Sequence, residues 1–76
     1  MKVKLTKLEE LPDALFPHNI EVGFERIRDI NPEYFKPPVV GERFWVGSFS
    51  TSAVQKIIDA STFRTYNSIY KWEILD

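Results

Sequence analysis

Cysteine is absent from the 76-residue chain, and its only histidine is His18. Without cysteine there is no disulfide framework and no thiolate metal site, and a lone His18 leaves a histidine-based zinc site without partners. Glycine is scarce too. Gly23, Gly41 and Gly47 stand at the wrong spacing for a loop that cradles phosphate. Nor is there an excess of charge of one sign. Ten Lys and Arg face eleven Asp and Glu, a formal net charge of -1, which lacks the basic excess of a non-specific nucleic-acid binder. No stretch approaches the roughly 18 apolar residues of a membrane helix, and the start of the chain, MKVKLTKLEELPDAL, has no apolar run of signal-peptide length. A soluble cytoplasmic protein without a cofactor is expected, with no membrane partner. Absence of cysteine fits a reducing compartment.

Hydrophobic residues make up 43% of the chain and aromatics 14%, enough for one compact core. A domain of this size buries roughly 60% of its unfolded surface and is marginally stable alone. Stability must come from aromatic packing, β-pairing or self-association, so a homo-oligomer is one of the expected states.

Lys2 to Lys7 alternates lysine with apolar residues and reads as a short strand with one dry face. Thr6 and Glu9 fit a capping box, and Leu8, Leu11 and Leu15 have near-helical spacing, but Pro12 restricts the segment to one helical turn between Leu8 and Phe16. Pro17, His18 and Asn19 read as a loop. Ile20 to Arg28 alternates again, with Ile20, Val22 and Phe24 on one face. Its slip at Arg26 and Ile27 predicts a bulge, with a bend near Gly23. Asp29 to Pro38 is a proline-rich loop whose Tyr34 and Phe35 are expected to plug the open end of a barrel rather than stand exposed at its rim.

Val39 to Ser50 predicts a strand with Phe44 and Val46 facing the core and Arg43 and Trp45 facing out. Ser50 to Asp59 fits two templates. Ser52 with Gln55 could cap a helix with Val54, Ile57 and Ile58 on its face. A strand with Val54, Lys56 and Ile58 on one side is preferred, because so short a helix is marginal. Asp59 to Thr62 reads as a hairpin turn. Phe63 to Tyr66 and Ile69 to Leu75 form a final hairpin around Asn67-Ser68, with Asn67 suited to left-handed geometry and Tyr70, Trp72 and Ile74 as the core row. The expected fold is mainly β: an SH3-like or OB-like small open barrel, or a curled antiparallel sheet, of five strands with one short helical turn and a single domain spanning residues 1–76. Such an architecture carries no function by itself.

No catalytic constellation is legible. His18 lies far in sequence from Ser48, Ser50 and Ser52, and the adjacent Glu9-Glu10 pair reads as a solvated face. The residues that invite a binding role are Trp45, Thr51, Ser52, Arg64, Thr65, Asn67, Ser68 and Tyr70. Tryptophan and arginine are enriched at binding hot spots. The hydroxyls and the amide supply donors and acceptors without charge, either for an anion, a nucleotide or a peptide backbone, or simply for the turns in which they sit. Trp45 is equally a contact residue or a ring half-covered by its own loop.

The pattern Thr51-Ser52-x-Val54, then Ile57, Phe63, Thr65 and Asn67-Ser68-x-Tyr70, resembles short accessory proteins found in phages and prophages. The likeness covers the second half of the chain. It implies a phage-type protein that antagonises host defence by occupying a host protein or capturing a small signalling nucleotide. A nucleic-acid-binding barrel is the alternative, with aromatics stacking bases and Arg43, Lys56, Arg64 and Lys71 meeting phosphates; the balanced charge disfavours it. A structural or self-assembly subunit, pairing through an exposed sheet edge, is the third reading.

Overall fold

The structure is a computed structural model that describes residues 1–11 and 21–75. Six antiparallel strands form one sheet: β1 (Lys2–Glu10), β2 (Glu25–Asp29), β3 (Arg43–Val46), β4 (Phe49–Asp59), β5 (Thr62–Thr65) and β6 (Ser68–Ile74). Their order is β2-β1-β6-β5-β4-β3, so the edge strands β2 and β3 are the two ends of a sheet that curls until they meet. The result is a nearly closed small barrel, as the mainly β reading anticipates, with one strand more than expected and no helix among the described residues.

The expected helical turn from Leu8 to Phe16 begins inside β1. Leu8 is the extra residue of a bulge, because Lys7 pairs with Tyr70 and Glu9 with Ile69. Between them the ladders to β2 and β6 pair every residue of β1 except Leu8, which a helix cut short by Pro12 could not do. The rest of that turn and the Pro17-His18-Asn19 loop lie outside the described residues.

β2 starts later than the alternation suggests. Val22 and Gly23 form a turn, with Gly23 at φ 92°, and the β1–β2 register runs unbroken from Lys2–Asp29 to Thr6–Glu25 without the expected bulge. Arg26 and Arg28 consequently share the inner face with Leu5 and Val3. The long strand expected from Val39 to Ser50 is divided by a two-residue turn at Gly47-Ser48. Gly47 has φ 62° and among the described residues no non-glycine residue has positive φ, which matches the hairpin class with glycine at the first central position. Segment 50–59 is a strand, as preferred. Lys56 and Ile58 are exposed, however, while Val54 is fully buried, so the three do not share a face. In the last hairpin the turn is Tyr66-Asn67, and Asn67 keeps a negative φ rather than a left-handed one.

The core consists of Val3, Leu5, Phe44, Val46, Val54, Phe63 and Tyr70. Each such buried side chain contributes about 2 kcal/mol by removal of apolar surface from water. Phe44 is the hub. Its ring centroid lies 5.2 Å from that of Phe63, 6.0 Å from Trp72 and 6.3 Å from Phe35, while Phe63 stacks on Tyr70 at 5.7 Å. Of the anticipated core row in β6, Tyr70 is buried and Trp72 partly so. Ile74, the last residue of β6, is half exposed although its register partner Val3 is buried. Tyr34 and Phe35 part company: Phe35 packs on Phe44 and Trp72, whereas Tyr34 is 80% exposed.

Candidate binding groove

The residues singled out from sequence fall into three places. Thr51, Thr65, Asn67, Ser68 and Tyr70 are buried and Ser52 is half-buried. They occupy the interior at the turn between β5 and β6. Thr65 Oγ1 accepts hydrogen bonds from the amides of Asn67 and Ser68 at 3.3 and 3.2 Å and donates to the Ser68 carbonyl, shaping that turn. The Asn67 amide donates to Ser52 Oγ at 3.0 Å, tying the turn to β4. Thr51 Oγ1 accepts the Phe44 amide at 3.2 Å. It replaces a ladder bond at the point where the β3–β4 register shifts, between Arg43–Ala53 and Trp45–Ser50. Asn67 Oδ1 and Ser68 Oγ are buried without a well-aligned partner. Burial raises the Tyr70 phenol above its usual pKa, the Ser68 hydroxyl beside it offsets part of that, and the charge of Glu10 adds to the rise. Lys7 completes this polar end, fully buried with its ammonium 3.6 Å from Glu10. The available signal was parity: Lys7 follows Val3 and Leu5 on the dry face, whereas Lys2 and Lys4 fall on the other.

Arg64 stands elsewhere, exposed on the outer face of β5, where its register partner is Lys56. Trp45, 55% exposed on β3, belongs to a third place. It lines a groove of about 560 Å³ between β3 and the loop that follows β2, together with Arg43, Tyr34, Phe35, Pro37 and Val39. Pockets of roughly 300–1,000 Å³ are the size that takes a drug-sized ligand.

Local chemistry fixes the groove's walls. Ile30 is anchored at the loop's start by its amide bond to the Met1 carbonyl. Asn31 initiates a turn: its side-chain oxygen accepts the Glu33 amide at 3.0 Å and its carbonyl accepts the Tyr34 amide at 2.9 Å. Phe35 then dips into the core and Tyr34 is left outside. Lys36 Nζ bridges both carboxylate oxygens of Glu42, at 2.8 and 2.9 Å, across Pro37, Pro38 and the valines. The Gly41 amide bonds the Val54 carbonyl at 2.8 Å and delivers the chain into β3. The Lys36–Glu42 pair cancels its own charge. Among the described residues Arg43 is the groove-lining cation without a carboxylate partner.

Sequence reading found Trp45 but missed the groove, because it assigned Tyr34 and Phe35 one shared role. Their adjacency after Asn31-Pro32 was the available signal, since neighbouring rings on an extended loop point to opposite sides. Among the described residues no three His, Cys, Asp or Glu side chains are grouped as a metal would need, and no helix is long and apolar enough to cross a membrane. Compared with protein-family models, with curated proteins and with solved structures, the chain matches none.

Proposed function

We propose that this is a non-enzymatic binding protein that holds its partner in the groove between β3 and the loop 30–42. The observation that carries the reading is the pair of exposed rings, Tyr34 on the loop and Trp45 on β3, lining one concave surface whose rim is stapled by Lys36 and Glu42. Exposed aromatics are costly unless a partner covers them. A rim already fixed by hydrogen bonds loses little freedom on binding. In this reading Trp45, Tyr34 and Arg43 make the contact. Thr51, Ser52, Thr65, Asn67 and Ser68 act behind it: Thr51 holds Phe44 between Arg43 and Trp45, and Asn67 braces β4 through Ser52. The likeness of residues 51–70 to phage accessory proteins supplies the mode of action, sequestration or blocking of a host protein or signalling nucleotide.

The nucleic-acid reading receives less support. Of the four cations it calls on, Lys56, Arg64 and Lys71 share the outer face of β4 to β6, and Arg43 alone lies in the groove with the exposed rings of Trp45 and Tyr34. Stacking and most of the phosphate contacts would therefore fall on separate surfaces.

Affinity capture from bacterial lysate, with the wild-type chain beside a Tyr34→Ala, Trp45→Ala variant, tests the proposal. A protein or nucleotide retained by the wild type and lost from the folded variant is expected. Equal capture by both removes the groove as the site.

A further inference from the structure

We infer that the groove takes an extended peptide segment of a protein partner, which pairs with the open edge of β3 and places a carboxylate against Arg43. The inference rests on the groove being the binding site proposed above, and it names the occupant.

The backbone supplies the first argument. β3 is the last strand in the sheet order, so among the described residues one of its edges has no hydrogen-bonded neighbour. The two-residue turn makes Val46 and Phe49 a closing pair, and the Phe44 amide points to Thr51 of β4. By the alternation of an antiparallel ladder, the amide and carbonyl groups of Arg43 and Trp45 point the other way. They lie along the free edge of β3, on two of the residues that line the groove. An incoming strand would find donors, acceptors and side-chain contacts on the same residues, which is the mode of recognition by strand addition.

Charge supplies the second. Lys36 and Glu42 neutralise each other, and Arg43 is left to be matched by an anion. Arg43 and Trp45 lie two positions apart on one face of β3, so a complementary strand carries a carboxylate and an apolar side chain at the same spacing.

Extent supplies the third. Val39, exposed and lining the same groove, extends its apolar surface beyond Tyr34 and Trp45. A mononucleotide would leave that surface wet, whereas a peptide running along the rim covers it. The chain's own free edge does not fit the role. The outer face of β2 does alternate Glu25, Ile27 and Asp29, but Glu25 is bonded to Lys4 at 2.8 Å and Asp29 to the Met1 amine at 2.9 Å. Its carboxylates are already committed.

A random-peptide display library panned against the full chain is the first step. The enriched sequences are then synthesised and titrated against the wild type and Arg43→Glu. We expect enriched peptides with a carboxylate two positions from an apolar residue, and amide exchange at Arg43 and Trp45 slowed when the peptide saturates the protein. Arg43→Glu should weaken binding by about tenfold or more, with recovery when the peptide carboxylate is replaced by lysine. Enrichment without a carboxylate, binding that leaves those two amides unprotected, or no enrichment at all overturns the inference. If a nucleotide is captured by the wild type and lost from the Tyr34→Ala, Trp45→Ala variant, the groove stands as the site and the peptide falls. If nothing depends on those rings, both readings fall.

Discussion

Asn67 and Arg64 occupy the same hairpin and read alike in sequence, as polar residues near a turn, yet the fold uses them in opposite ways. Asn67 is 4% exposed and donates to Ser52 Oγ, linking the β5–β6 turn to β4. Arg64 projects from the outer face beside Lys56 with its guanidinium in water. Removing the Asn67 amide leaves a half-buried hydroxyl without its donor, so Asn67→Ala should destabilise by about 1–2 kcal/mol. Arg64→Ala should change stability by no more than about 0.5 kcal/mol, as an exposed surface substitution does. Urea unfolding followed by tryptophan fluorescence separates the two, read as a lowered midpoint at constant slope. An Asn67→Ala protein that unfolds with the wild type would mean that the bond to Ser52 holds nothing together. Residue type alone could not make this distinction. Threonine, serine and asparagine satisfy turns and line sites with the same atoms, and only burial, set by the curl of the sheet, decides between the two uses.

At the scale of the element, β4 explains why the sequence was ambiguous. By register its inner-face residues are Thr51, Val54 and Ile57, the last two paired with Thr65 and Phe63 on the neighbouring strand, with Ile57 already exposed at the far end. A spacing of three instead of two arises because each interval carries an extra residue. The β3–β4 register slips between Arg43 and Trp45, and the β4–β5 register slips between Val54 and Lys56. A bulged strand thus imitates helical periodicity, and the helical reading of Val54, Ile57 and Ile58 was that imitation. Where no bulge intervenes, as at Phe44 and Val46 or at Val3 and Leu5, plain alternation placed the core face correctly. The turn that ends β3 was illegible for a different reason: Gly47 falls within an otherwise alternating run, and its role depends on backbone geometry. With φ at 62°, and with a Cβ there only 3.2 Å from Cγ of Arg28, Gly47→Ala meets both left-handed strain and a crowded neighbour. A loss of about 1–2 kcal/mol is expected, mostly from the backbone because the Arg28 side chain can move aside. Pairing the substitution with Arg28→Ala should therefore restore only a minor part of the thermal stability. Full recovery in the double variant would assign the cost to crowding instead.

For the whole molecule, the decisive feature is how a sheet with two free edges closes. β2 and β3 meet without a hydrogen-bonded ladder between them, so the seam depends on side chains. Arg26 lies across it, its guanidinium 5.6 Å from the centroid of Phe24 and 5.5 Å from that of Phe49, while the two rings sit 5.8 Å apart. Arg28 packs against Gly47 at the far corner. Such a closure is weaker than a ladder and leaves the β3 edge accessible beside it, which is the condition that strand addition requires. Arg26→Ala should then loosen the barrel at one place, costing about 1 kcal/mol, the scale of a partly exposed cation–π contact. Hydrogen exchange gives the sharper reading. Amides of β2 should exchange faster in the variant, while those paired between β1 and β6 at the centre of the sheet keep their protection. Arg26→Met tells cover from charge, since methionine can lie over both rings without a cation. Recovery of β2 protection in that variant would make the seam a matter of apolar cover. Failure to recover, with Arg26→Lys holding part of the protection, would place the closing force in the cation over the rings. Uniform acceleration of exchange across all six strands would instead mean that the barrel opens only as a unit, and that the seam is no weaker than the sheet it joins.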